Sequence, residues 1–131
     1  MLGKKKMATN ADVRKIALAL PGTCESEIWF AFSVPSKGKQ RGYAWAWKER
    51  IELNKPKVPN LGVLVVRVTG EDEKQMLLAS SPDVYFTEDH YNNYPAVLVR
   101  LANIEHDELA EILEDAWKTV APSSLLTTKV F

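Results

Sequence analysis

Apolar residues along this chain recur with two different periods. Val13, Ile16, Ala17 and Leu20 fall at i, i+3, i+4 and i+7, which lays one apolar face along a helix. Thr9 and Asp12 open that helix as a capping box, with Asp where Glu or Gln is usual, and Pro21-Gly22 closes it. Leu109, Ile112, Leu113, Ala116, Trp117 and Val120 form a second, clearer stripe. They predict a helix over residues 107–120 whose wet face carries Glu111, Glu114, Asp115 and Lys118, and Ala121-Pro122 stops it. Residues 69–80 predict a third helix, opened by another Thr-x-x-Asp pattern at Thr69 and Asp72 and closed before Pro82.

Between the helices the period shortens. Residues 28–34 alternate loosely and are rich in aromatics, whereas residues 43–47 set Tyr43, Trp45 and Trp47 on one face and Ala44 and Ala46 on the other. Both segments read as strands. The polar residues 35–42 join them as a hairpin loop of eight residues, longer than the usual two to five. Residues 48–61, with Pro56 and Pro59, predict a second long connection. The apolar run 62–68 predicts a central strand, residues 84–86 a short strand and residues 96–101 another. The order α-β-β-β-α-(β)-β-α predicts an α+β fold, a two-layer sandwich of antiparallel sheet packed on helices. One domain is expected over residues 9–122, with residues 1–8 a flexible N-terminal tail and residues 123–131 a C-terminal tail.

Composition adds bounds rather than chemistry. A chain of 131 residues, 46% hydrophobic and 26% charged, is sized and balanced for one soluble domain. Its single cysteine, Cys24, excludes an internal disulfide and fits a reducing cytoplasm. The N-terminal lysines precede no apolar stretch, so no secretory signal is read there. The apolar runs reach only about five residues against the roughly 20 a membrane span needs. A cytoplasmic location is expected. Net charge is zero, but the charges are unevenly placed. Residues 1–70 carry thirteen Lys or Arg against five acids, and residues 71–115 carry two against twelve. Charge divided in this way creates opposed local fields.

The basic excess is concentrated in Lys37, Lys39, Arg41, Lys48, Arg50, Lys55 and Lys57. Most of these fall in the two predicted connections, which a hairpin would present at one end or edge. Lysines and arginines on mobile loops can follow a phosphate backbone and release its counterions. Tyr43, Trp45 and Trp47 lie between the two groups, where an exposed ring could stack on an unpaired base or a buried one simply fill the core. An acidic protein surface is a further possible partner for the same residues. Glu88-Asp89-His90 sets a histidine beside carboxylates, as proton relays and metal sites do. The adjoining Tyr91-Asn92-Asn93-Tyr94-Pro95 is turn chemistry, however, and favours a structural role. His106 at a helix start reads as a capping residue. Cys24 beside Glu25 and Glu27 is poorly placed as a nucleophile. The sequence has no Gly-rich phosphate loop and no Ser-His-Asp order, so no catalytic constellation, metal or cofactor is assigned.

Four segments in order resemble the MmcQ/YjbR family of small bacterial proteins: Ile16-Ala-Leu-Ala-Leu-Pro-Gly22; Phe30-Ala-Phe-Ser-Val34 leading to Gly42-Tyr-Ala-Trp45; Ser81-Pro-Asp-Val-Tyr-Phe-Thr87 with His90-Tyr91 and Tyr94-Pro-Ala-Val-Leu-Val-Arg100; and Asp107-Glu-Leu109 through Asp115-Ala-Trp-Lys-Thr-Val-Ala-Pro122. The resemblance implies a double-wing α/β sandwich, similar in outline to secretion chaperones, and a DNA-binding role. Two departures stand out. The first hairpin loop is read as longer and more basic than the family's, and Ser123-Ser-Leu-Leu126 stands where the family often has Lys-Arg. The expected function is a non-enzymatic, weakly specific DNA-binding module that uses its basic hairpin loops. The alternative is a protein-interaction or chaperone-like module, which pairs with itself through its opposed charges.

Overall fold

The computed structural model describes residues 7–49 and 53–126. In chain order the elements are helix α1 (Asn10–Ala19), strands β1 (Cys24–Glu25), β2 (Ala31–Ser36), β3 (Lys39–Glu49) and β4 (Val58–Arg67), helix α2 (Glu71–Ser80), strands β5 (Tyr85–Phe86) and β6 (Ala96–Arg100), helix α3 (His106–Val120) and the short helix α4 (Ser123–Leu126). Single 3-10 turns occupy Asp89–Tyr91 and Leu101–Asn103. The strands form one antiparallel sheet in the order β1-β2-β3-β4-β6-β5. The α+β sandwich expected from the element order is therefore the fold, and β4 is the central strand its apolar run predicts.

Helices α1 and α3 cover one face of the sheet. All six residues of the α3 stripe, from Leu109 to Val120, are buried there with Val13 and Ala17 of α1 against Phe32, Val34, Ala44, Leu64, Val66, Val97 and Val99. Removing this apolar surface from water is the main source of stability. The Thr9–Asp12 capping box forms in both directions, at 3.0 and 3.2 Å. At α2, Gly70 is the cap instead, and the Thr69 amide and hydroxyl donate to Glu73, one residue beyond the Asp72 of the sequence pattern. His106 is no cap either. It lies inside the first turn of α3, 3.8 Å from both Asp12 and Asp107.

Both ends of the domain extend further than residues 9–122. Ala8 is buried, its N–H donates to the Ile104 carbonyl, and Met7 bridges to Glu105. At the other end Leu125 of α4 packs on the core beside Gly22, which has a φ of +74°. A Cβ at Gly22 would lie 2.5 Å from the Leu125 side chain, so both the left-handed backbone and the close approach call for glycine.

The first hairpin departs most from its expected form. Ser36 pairs with Lys39, which leaves a turn of two residues, Lys37 and Gly38, with φ of +53° and +78°. Two positive φ values are what a type I′ turn requires, and its twist matches that of the strands. The eight-residue loop does not exist, and the family departure read into it goes with it. Pro35 is accommodated because β1 covers only Phe32 and Ser33, so the missing N–H faces an open edge. Lys39 and Arg41 are therefore strand residues.

Two irregularities decide which way the aromatics point. Phe32 pairs with Ala44 but Ser33 with Gly42, so Tyr43 is an extra residue that turns towards the helices with Ala44. Trp45 and Trp47 lie on the opposite face, so Tyr43 does not share a face with them as the alternation predicts. Further along, Ala46 pairs with Leu64 but Trp47 with Asn60. Beyond that break the ends of β3 and β4 continue as a two-stranded wing past the rest of the sheet.

Candidate nucleic-acid interface

The face of the sheet away from α1 and α3 has a small core of its own. Val65, Ala96 and Leu98 are buried, with Trp45, Trp47, Val63, Phe86 and Tyr91 packed around them. No α-helix among the described residues packs on them. The covering segment is the loop 87–95, whose second half, Tyr91 to Pro95, has the turn chemistry its sequence predicts: Asn93 adopts the left-handed backbone, at φ +63°.

Lys74 of α2 holds that loop in place. Its side chain is only 1% exposed, and its ammonium donates to the carbonyls of Tyr91 at 2.5 Å and Tyr94 at 3.0 Å. Burial pulls its pKa below the usual lysine value, with Glu71 opposing. The loop is tied to the sheet as well: the Trp45 indole N–H donates to the Tyr91 hydroxyl at 3.1 Å, and the Arg67 guanidinium donates to the Gly42 carbonyl and the Tyr94 hydroxyl. Burial raises the Tyr91 pKa, partly offset by the bond from Trp45.

Where the loop meets the wing, a cleft of about 160 Å³ opens. Trp29, Trp45, Trp47 and Tyr91 supply its rings, and Lys48, Lys57, Glu88 and His90 its polar groups. The Lys48 ammonium lies 4.3 Å from the centre of the Trp29 ring, within cation–π range. Trp47 meets Phe86 edge-on at 5.9 Å, and the Arg100 guanidinium stacks on Phe86 at 4.1 Å. Ligand pockets usually enclose about 300–1,000 Å³. At about 160 Å³ this cleft lies below that range.

The six basic residues that the structure describes do not converge. A meander returns at opposite ends of its middle strand, so the turns on either side of β3 are separated by the length of that strand. At about 3.3 Å per residue, Lys39 and Lys48 stand roughly 30 Å apart. Lys37, Lys39 and Arg41 occupy the β2–β3 end, whereas Lys48, Lys55 and Lys57 occupy the wing beside the cleft. Arg50 lies outside the described residues. The wing also exposes apolar side chains, Leu53 at 88% and Leu61 at 50%.

Trp29, Tyr91 and Lys74 complete the site although nothing in the basic pattern points to them. Tyr91 and Lys74 are brought to it by pairings between residues 46 and 17 positions apart. Glu88 and His90 line the cleft, and no group of three or more His, Cys, Asp or Glu suited to a metal ion occurs among the described residues. Cys24 is exposed on β1, whose Glu25 forms a two-point ion pair with Arg14 of α1 at 2.8 and 2.9 Å. That hydrogen bonding holds the Glu25 pKa below the usual carboxylate value. No helix among the described residues is long and apolar enough to cross a membrane.

The fold is shared with the crystal structure of the Deinococcus radiodurans protein DR2400, a DUF419 domain protein. The two superpose with a TM-score of 0.62 at 22% identity, over 85% of this chain and 77% of that one. Uncharacterized proteins of Mycobacterium tuberculosis and Mycobacterium bovis are each 36% identical over 128 residues, which cover 92% of this chain and 94% of theirs. The YjbR family model matches residues 18–119, from the end of α1 to the last turn of α3, and this chain belongs to the YjbR family.

Proposed function

We propose that this protein is a non-enzymatic, weakly specific DNA-binding module that takes an unpaired base in the aromatic cleft and the adjoining phosphates on the wing lysines. The supporting observation is one cleft lined by three tryptophans and a tyrosine, with Lys48 and Lys57 on its rim. Rings bind bases of any sequence through their π-faces, and lysines on a flanking wing meet the backbone as point charges. Single strands are favoured over duplex because a paired base cannot enter a cleft of this size. The distant Lys37, Lys39 and Arg41 contribute only to a strand long enough to run the length of β3.

Fluorescence titration with a short single strand and its duplex, each at two salt concentrations, tests the assignment. Base–aromatic stacking is worth about 1–3 kcal/mol, so Trp47→Ala should weaken single-strand binding by roughly 5- to 150-fold. Replacing Lys48 and Lys57 together should reduce the salt slope by about 1.4, at about 0.7 per phosphate contact on a single strand. Binding that is absent at low salt, or equal for duplex and single strand, refutes the proposal.

A second assignment, self-association, is supported by the groove between α2 and α3, where Glu73, Glu108, Glu111 and Asp115 lie on the same molecule as the basic wing. Light scattering over a concentration series separates the two. A monomer at every concentration, in low and high salt alike, eliminates self-association.

A further inference from the structure

Glu88 is the single carboxylate among the residues lining the aromatic cleft. An ionised carboxylate has acceptors only, so a ligand that excludes water from it must offer it a donor. Within the described residues its side chain makes no hydrogen bond or ion pair, although Lys48 and Lys57 line the same cleft. Its position is also fixed. Glu88 is the residue before the 3-10 turn Asp89–Tyr91, its carbonyl accepts the Tyr91 N–H at 2.8 Å, and the Tyr91 carbonyl is held in turn by Lys74. A half-exposed carboxylate without a protein partner is thus held on a braced turn at the wall of the aromatic cleft.

We infer that Glu88 makes this cleft select an unpaired base bearing an exocyclic amine, such as cytosine or adenine, against thymine. The inference rests on the nucleic-acid assignment above and names what that same site prefers. Cytosine presents N4–H₂ and adenine N6–H₂, and Glu or Asp accepting from the cytosine amine is a recurrent base contact. Thymine places the O4 acceptor at that position and offers only its single N3–H beside it, so it is the poorer match for a carboxylate than a base presenting an exocyclic amine. Lys48 and Lys57 add affinity for every strand equally, because they meet phosphate and carry no base information.

The test is anisotropy with dye-labelled oligo-dC, oligo-dA and oligo-dT of one length, at fixed low salt, for the parent chain, Glu88→Gln and Glu88→Ala. A matched ribo series separates DNA from RNA as the strand that carries the base. The parent should bind oligo-dC and oligo-dA about 5- to 150-fold more tightly than oligo-dT, the range for one good base contact. Glu88→Gln, whose amide both donates and accepts, should narrow that ratio, and Glu88→Ala should bring it near one. Removing an acidic charge raises affinity for all strands, so the ratio is the quantity to read. Equal binding of all three by the parent, or a preference that survives in Glu88→Ala, overturns the role of Glu88 and leaves the binding module standing. Failure to bind any of them overturns both.

Discussion

Trp117 offers the sharpest separation of stability from function in this molecule. Its side chain is fully buried on α3 between the helices and the sheet, and its indole N–H donates to the Pro21 carbonyl at 2.8 Å. Truncating a large aromatic in such a core costs about 3–5 kcal/mol, counting both lost transfer free energy and the cavity left behind. A domain's total stability is only about 5–15 kcal/mol, so Trp117→Ala removes at least a fifth of it. For a chain of this length each kcal/mol shifts the melting point by about 3–5 °C, which predicts a fall of roughly 9–25 °C. Trp117→Phe keeps most of the bulk but orphans the Pro21 carbonyl, and should cost about 1–3 kcal/mol. Thermal and urea unfolding followed by circular dichroism measure both variants. The cleft lies on the opposite face of the sheet, so each folded molecule of either variant should bind single-stranded DNA as the parent does. A Trp117→Ala protein that melts with the parent but has lost binding would refute this assignment of the aromatic to the core.

Two further predictions concern buried titratable groups. The Tyr43 hydroxyl is fully buried, and burial pushes its pKa up to about 12 against a hydrogen bond with Thr23 that lowers it. Below pH 10 the phenol is protonated in both folded and unfolded chains and its contribution is complete. Between pH 10 and 12 the unfolded chain ionises first, so stability should fall by about 1.4 kcal/mol per pH unit, roughly 2.7 kcal/mol in all. Tyr43→Phe should remove that part of the alkaline loss, and urea midpoints that decline in parallel for parent and variant would contradict it. Lys74→Met removes a buried ammonium along with its bonds to Tyr91 and Tyr94, so relief of desolvation offsets much of the loss and the net cost should be about 1–3 kcal/mol. Its local effect is larger: amide exchange over residues 87–95 should quicken while the sheet stays protected, and unchanged exchange there would show that Lys74 does not brace the loop.

The helices were the most legible part of the sequence because a period of 3.6 leaves a stripe that packing must bury. The α3 stripe is buried residue for residue, and the α1 capping box forms as read. The strands were legible as elements but not in their ends or faces. Pro35 reads as a turn residue when only local preference is weighed, yet an uncovered edge lets it extend β2. Lys37 is not a residue expected at positive φ, which hides the two-residue turn. One bulged residue, Tyr43, reverses its own facing, and strict alternation cannot anticipate a bulge. The basic run was visible as composition. Its division between two ends follows from the meander, whereas the union of Trp29, Trp45, Trp47 and Tyr91 depends on tertiary contacts that leave no local pattern.

The two faces of the sheet also differ in how much their residues are constrained. Behind α1 and α3 the core is continuous, and a change there is expressed as stability. The other face has only Val65, Ala96 and Leu98 fully buried, under a loop held by an ammonium whose burial is itself unfavourable. Trp45 and Trp47 on this face are only partly buried, which wastes their capacity as core residues. An apolar helix over the same strands would bury more surface and would need no buried charge. Retaining half-covered rings, a braced turn and a carboxylate without a protein partner beside a basic wing is a local departure from the packing of the helix-side core, and such departures collect where a protein meets a ligand. Removing a ring from the cleft should therefore weaken binding more than it weakens the fold. Ala46, the small residue on its floor, is unsuited to this test because its side chain faces the helices. Trp47→Ala is suited, since it takes away a ring and its packing on the small outer core while leaving the helix-side core untouched.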